Sequence, residues 1–197
     1  MYTFIDYFIL KNFEENFFQG LLQIKENNYG LNVYSYIKYS NTKNEDTISQ
    51  LIITTSHINS FQHLINLQKN SLRWFPASQV FPPGYPLPFN EPVPVLIWGE
   101  GYEDGSKPFV ERREDGTVVF YADIIASSFF MLSRWEETVN TTRDLHGRFP
   151  ATASVAYKHG FLDRPIVDEY ALILKAWIKE IFPDWKYETP KFSVKLS

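Results

Sequence analysis

Apolar residues recur at helical spacing near both ends of the chain. Between residues 4 and 17 they alternate with acidic and amide side chains, which predicts an amphipathic N-terminal helix. A second helix is predicted over residues 165–182, with Pro165 in its first turn, where the missing N–H removes no hydrogen bond. The apolar stripe of this C-terminal helix consists of Ile166, Tyr170, Leu174, Trp177 and Ile181.

Five shorter segments, rich in β-branched and aromatic residues, predict strands. The strongest local signal is Asp115-Gly116, which lies between two such segments and readily adopts the positive φ that a tight hairpin turn requires. The predicted strands are residues 32–40, 47–56, 93–98, 109–112 and 117–121.

A run that is apolar on almost every side, "IIASSFFML", follows Asp123. The Asp123 carboxylate can cap a helix that begins at Ile124, and this helix is predicted over residues 124–138. Because its outer positions are also apolar, we expect it to be buried in the middle of the domain. The prediction is therefore one α/β domain, in which a small mixed sheet of about five strands is flanked by the N-terminal, 124–138 and 165–182 helices.

Proline dominates residues 76–94, which contain seven of the 12 prolines and a single charge. This density excludes a helix and removes too many N–H donors for a central strand. The segment is predicted to be an ordered, partly buried connector that wraps the core, because apolar residues alternate with the prolines. The alternatives are a proline-rich ligand for an aromatic groove and an aromatic platform for a sugar.

Charge and composition narrow the classes of partner. The formal net charge is −4 and both signs are well mixed, so no basic stripe is present and nucleic acid is not an expected partner. The chain has no cysteine, which excludes disulfides and thiolate chemistry and predicts a cytoplasmic location. No apolar run approaches the roughly 20 residues of a membrane span, and the first residues lack the features of a signal peptide.

The densest group of charged residues lies in "SRWEETVNTTRDLHGRFP", residues 133–150. Asp144 and His146 flank one residue, so on an extended segment their side chains would share a face and the carboxylate could orient the imidazole as a general base. Under this enzymatic hypothesis, Arg134, Arg148 or Lys158 would hold an anionic substrate. The alternative is a histidine that serves only the hydrogen bonding of its turn.

The same charges also fit a structural role. Arginine forks bind carboxylates bidentately, so the favoured interpretation is an ion-pair network of Arg134, Glu136, Glu137, Arg143, Asp144 and Arg148, which Lys158 and His159 could join from the next segment. The candidate binding residues are Arg134, Glu137, Arg148, Lys158 and His159. No metal site is predicted, because no histidine pair has the spacing that places two ligands on one helix face.

Three blocks of the sequence carry a family resemblance: "YADIIASSFFMLSRWEE", "RDLHGRFPATASVAYKHGFLDRPIVDEYALIL" and "KFSVKLS". Together they resemble the N-terminal region of bacterial proteins of the polysaccharide deacetylase family. The resemblance is close from Tyr121 onward, whereas the first hundred residues match only in general pattern.

The resemblance implies an accessory domain over residues 1–190 and a strand over residues 191–197 that leads into a catalytic domain absent from this sequence. It implies that the divalent metal and the catalytic residues belong to that absent domain, so no catalytic residue is assigned to this chain. The expected partners are the deacetylase domain in cis and a polysaccharide. The alternatives are a small hydrolase or lyase that uses Asp144 and His146, and a stand-alone glycan-binding module with solvent-facing aromatic residues along one groove.

Overall fold

The computed structural model describes residues 24–26, 32–34, 37–39, 49–57, 59–103 and 105–183, with side chains from Leu51 onward. The predicted N-terminal helix and the predicted strand over residues 191–197 lie outside these described residues. In chain order, the described strands are β1 (Ile24–Glu26), β2 (Asn32–Tyr34), β3 (Ile37–Tyr39), β4 (Ser49–Ile53), β5 (Arg73–Phe75), β6 (Val93–Val95), β7 (Val110–Arg112) and β8 (Val118–Phe120). The described helices are α1 (Ser60–Asn66), α2 (Ala77–Val80), α3 (Ile124–Leu132), α4 (Trp135–Val139), α5 (Val155–Lys158) and α6 (Ile166–Ile181).

A four-stranded mixed sheet, in the order β3-β4-β8-β7, forms the centre of the fold. Strands β4 and β8 run parallel, with Leu51 opposite Val118, while both outer pairs are antiparallel. The predicted α/β class with a small mixed sheet is confirmed. The β7–β8 hairpin turns where the sequence predicts it, because Gly116 has a φ of 84° and the Arg113 N–H donates to the Thr117 carbonyl at 2.8 Å.

Two strand predictions are corrected. Of residues 32–40, those that the structure describes belong to two different strands, β2 paired with β1 and β3 paired with β4. The predicted strand over residues 93–98 is shorter, and β6 pairs with β5 in a two-stranded sheet outside the central one. Pro94 lies opposite Trp74 in this ladder and has no N–H to donate, which suits a strand with a single neighbour.

Asp123 joins the central sheet to α3, as the capping prediction expects. One carboxylate oxygen accepts from the Ala126 N–H at 2.8 Å, and the other accepts from the Ser56 N–H at 2.7 Å, just beyond β4. Burial raises the pKa of Asp123, although both backbone donors favour its ionised form. The side chain therefore fixes where α3 begins relative to the parallel strand pair.

The predicted helix over residues 124–138 is wrong in two respects. It is divided into α3 and α4 by Arg134, whose φ of 54° is left-handed and cannot continue a right-handed helix. It is also buried on one side only, because Ile124, Ser127 and Phe130 are buried while Leu132 is 64% exposed. The apolar composition of the helix therefore overstates its burial.

The last helix, α6, packs against α3 and β4 and closes the core. Its buried face includes Tyr170 and Trp177, whose polar atoms both find backbone partners. The Tyr170 hydroxyl donates to the Pro94 carbonyl at 2.7 Å, and the Trp177 indole N–H donates to the Val80 carbonyl at 2.8 Å. Helix α6 thus holds both the β5–β6 sheet and the start of the proline-rich segment.

The proline-rich segment is an ordered connector, as predicted. The prediction that its proline density excludes a helix is wrong, because the short helix α2 (Ala77–Val80) forms in the proline-free stretch between Pro76 and Pro82. The ring of Phe81 stacks on that of Tyr85 at 5.6 Å and meets the edge of Phe89 at 5.4 Å. Phe81 is buried, and the other two rings pack partly buried against the core. The aromatic residues of this segment are therefore used mainly for packing.

Candidate functional site

The predicted pair Asp144 and His146 lies in a turn between α4 and α5. One oxygen of Asp144 accepts from the N–H groups of His146 at 2.8 Å and Arg148 at 2.9 Å, and the other accepts from Arg148 Nε at 3.1 Å. These donors, led by the Arg148 backbone, lower the pKa of Asp144. The carboxylate contacts the backbone of His146, and among the described residues no hydrogen bond joins it to the imidazole, which is exposed.

Arg134 and Glu137 form a local fork at the start of α4. Arg134 Nε donates to Glu137 at 2.8 Å and a second guanidinium nitrogen reaches the other carboxylate oxygen, which lowers the pKa of Glu137. Arg143 then crosses the end of α4, donating to the carbonyls of Glu137 at 2.9 Å and Asn140 at 2.8 Å. Arginine side chains therefore bind at both ends of α4, Arg134 at its start and Arg143 at its end.

Glu136 and Lys158 anchor the charged segment to the rest of the domain. The carboxylate of Glu136 accepts from the Val155 N–H at 2.7 Å, at the start of α5. Lys158 Nζ donates to the Ile65 carbonyl at 2.7 Å, at the end of α1. The hydrogen bond between Glu136 and the Val155 N–H joins α4 to α5. The Glu136 carboxylate is partly buried there, and this burial raises its pKa.

The structure divides the candidate binding residues into separate local contacts. Arg134 pairs with Glu137 and Arg148 with Asp144, while Lys158 binds a backbone carbonyl. His159 is only 3% exposed, and neither ring nitrogen has a hydrogen-bond partner within the described part of the chain. Burial, with a smaller effect from Lys158, lowers the pKa of His159.

Exposed apolar side chains concentrate in the same region. Of the seven large apolar side chains that are exposed in the described part of the chain, five lie within residues 132–162. The most exposed is Leu145, at 102%, between Asp144 and His146 in the turn. These five are Leu132, Val139, Leu145, Tyr157 and Leu162. We call residues 132–162 the exit segment.

A second feature, a cavity of about 310 Å³, lies between α1 and the β5–β6 sheet. Polar side chains reach it from three separate parts of the chain: His63 on α1, Arg73 on β5, and Glu103 on the loop after β6. Trp98 contributes an indole ring. Sequence reasoning missed this site, because no spacing in the sequence connects residues that only the fold brings together.

Within the described residues, no group of three histidine, cysteine, aspartate or glutamate side chains is placed to hold a metal ion. No described helix combines the length and apolar character that crossing a membrane requires.

Comparison with known proteins identifies the family. Residues 5–183 match the model of a family of unknown function (DUF7033), and the chain belongs to this family. No curated protein and no solved structure matches the chain. The family match covers the described fold, the exit segment and the cavity, and it brings no activity with it.

Proposed function

We propose that this chain is a non-catalytic accessory domain that packs against the catalytic domain of a metal-dependent polysaccharide deacetylase and helps to position or stabilise it. In this proposal the divalent metal belongs to the catalytic domain, and the assembled protein acts on glycan. The observation that carries the proposal is the exposure of the apolar side chains of the exit segment. Most of this segment, apart from residues 138–142, also lies within the sequence blocks that resemble deacetylase-associated regions.

The exposed apolar side chains of the exit segment are more typical of a protein–protein interface than of a surface that stays in contact with solvent. Single exposed apolar residues are common on soluble proteins, whereas contiguous apolar patches mark contact surfaces, and five of the seven such side chains of the described residues lie close together in sequence. Leu145 illustrates the point, because its 102% exposure means that it contributes nothing to the core of this domain. Burial of one leucine of this kind in an interface would contribute about 2 kcal/mol.

The polar contacts of the exit segment support the same proposal. Asp144 with Arg148, and Arg134 with Glu137, hold the turn and the start of α4 in defined conformations. A surface ordered before association loses less conformational entropy when it binds. Arginine is also enriched in protein interfaces, and the side chains of Arg134 and Arg148 are 74% and 72% exposed.

The enzymatic alternative lacks the arrangement that it requires. A general-base histidine needs a carboxylate that orients its imidazole, whereas both oxygens of Asp144 accept from backbone or arginine N–H groups. The three candidate substrate-binding cations also have partners: Arg134 pairs with Glu137, Arg148 pairs with Asp144, and Lys158 donates to the Ile65 carbonyl. These contacts favour a structural role for the charged residues of the exit segment.

The test is binding of the purified chain to the catalytic domain of a deacetylase from the resembling group, followed by calorimetry. We expect Leu145→Asp combined with Leu162→Asp to weaken binding at least about tenfold, because a carboxylate would be buried against the partner. Leu172→Asp is the matched control, since Leu172 is an exposed leucine, 41% accessible, on α6. The proposal would be refuted if the double variant and Leu172→Asp weakened binding equally, or if the unaltered chain did not bind.

A further inference from the structure

We propose that the cavity between α1 and the β5–β6 sheet binds a small polyhydroxylated carboxylate, which is the chemistry of a sugar acid. Its volume of about 310 Å³ lies at the lower end of the range of small-molecule pockets, about 300–1,000 Å³, and suits a ligand of monosaccharide size. The inference rests on the cavity and not on the exit segment, so it goes beyond the proposed function.

Arg73 is the group that selects a carboxylate. Its guanidinium carbon lies 4.9 Å from the centre of the Phe75 ring, which holds the side chain against the sheet. Gly105 provides clearance, because a Cβ at that position would lie 3.3 Å from the nearest guanidinium nitrogen. The Arg73 side chain is exposed, and no hydrogen bond or ion pair from another described residue occupies its guanidinium, so these residues leave its bidentate N–H fork open to an anion.

Other hydrogen-bond donors line the same cavity. Ser60, His63 and Trp98 line it as well, and in the described part of the chain no hydrogen bond occupies the hydroxyl, the imidazole or the indole N–H. The hydroxyl and the imidazole can both donate and accept, and the indole N–H donates, which suits a ligand rich in hydroxyl groups. The partly exposed Trp98 ring adds an apolar face on which the C–H groups of a sugar ring could pack.

Glu103 favours a ligand with a hydrogen-bond donor at the end opposite its carboxylate. One of its carboxylate oxygens accepts from the Gly101 N–H at 3.0 Å, which leaves the other able to accept from a ligand hydroxyl. Although Arg73 and Glu103 line the same cavity, they form no ion pair with each other. Opposite charges that share a cavity but remain apart are complementary to a ligand with a carboxylate at one end and a donor at the other.

The test is titration of the purified chain with three probes, followed by NMR chemical shifts. Glucuronate carries both features, glucose has hydroxyls without a carboxylate, and hexanoate has a carboxylate without hydroxyls. We expect saturable binding of glucuronate, at least about tenfold tighter than binding of either other probe. Arg73→Gln should remove that advantage of glucuronate over glucose.

Arg112→Gln is the matched control, because Arg112 is an exposed arginine that pairs with Glu180 outside the cavity. It should leave glucuronate binding unchanged. The proposal is overturned if glucuronate does not bind saturably, if it binds no tighter than glucose, or if Arg73→Gln binds it as the unaltered chain does. If Arg73→Gln does not fold, the affinities of the unaltered chain for the three probes still test whether the cavity prefers a polyhydroxylated carboxylate.

Discussion

The carboxylate of Asp144 accepts a hydrogen bond from the backbone N–H of His146, at 2.8 Å, so this pair builds a turn. Because the N–H groups of Arg148 and His146 favour the ionised carboxylate, the pKa of Asp144 is lowered. The ionised Asp144 carboxylate therefore stabilises the folded chain at pH values above its pKa in the unfolded chain. This stabilisation is lost as the pH falls through the pKa of Asp144 in the folded chain.

Asp144→Ala should loosen this turn, whereas His146→Ala should not. The first substitution removes the acceptor of three N–H groups, and the second removes only an exposed imidazole. Hydrogen exchange at the amides of residues 146–148 is the measurement. Faster exchange in His146→Ala than in Asp144→Ala would show that the imidazole, not the carboxylate, holds the turn.

Asp123→Ala should lower the free energy of unfolding by about 2–3 kcal/mol in urea titrations. The substitution removes the cap of α3 and leaves the Ser56 and Ala126 N–H groups without their acceptor. Asp123→Asn retains one side-chain oxygen and should cost less. A loss below about 0.5 kcal/mol for Asp123→Ala would contradict the role of this side chain as the link between sheet and helix.

His159→Leu should raise the free energy of unfolding by about 1 kcal/mol at pH 7, because it removes a buried ring whose two nitrogens have no described partner. Burial lowers the folded pKa of His159, so its protonation opposes folding. Stability should therefore fall as pH drops below the unfolded value of about 6.5, and His159→Leu should flatten this dependence. Identical pH profiles for both proteins would exclude His159 as the cause.

Arg164→Ala should destabilise the domain far more than Arg112→Ala. Arg164 binds Glu169 through two nitrogens, at 2.6 and 3.1 Å, where the two side chains are only 16% and 9% exposed. Its loss leaves a buried carboxylate unpaired, at a cost of about 3 kcal/mol. The exposed pair of Arg112 with Glu180 should contribute less than about 1 kcal/mol. Chemical denaturation of both variants makes the comparison, and equal losses would contradict it.

Local chemistry explains which features could be predicted from the sequence. The Asp115-Gly116 turn, the Asp123 cap and the stripe of α6 depend on neighbours within a few residues. The turn and the cap occur as predicted, and four of the five predicted stripe residues are buried, while Leu174 is partly buried. The break at Arg134 could not be predicted, because the uninterrupted apolar run before it is equally compatible with one long helix.

The candidate site also contains features that could be predicted from local sequence and features that could not. The exit segment could be found from its density of charge, but the pairing of Asp144 with backbone instead of imidazole depends on a turn that Gly147, with a φ of 74°, makes possible. The cavity could not be found at all. His63 on α1, Arg73 on β5 and Glu103 beyond β6 line it together only in the folded chain, and Pro94 makes the β5–β6 pairing difficult to predict from the sequence.

Hydrogen exchange of this chain, alone and with a deacetylase catalytic domain, tests the proposed function most directly. Because the exposed apolar side chains concentrate in the exit segment, we predict slower amide exchange on association within residues 132–162. The exposed outer face of α6 around Leu172 should exchange equally in both states. Protection confined to other parts of the chain, or no protection at saturating catalytic domain, would contradict the proposal.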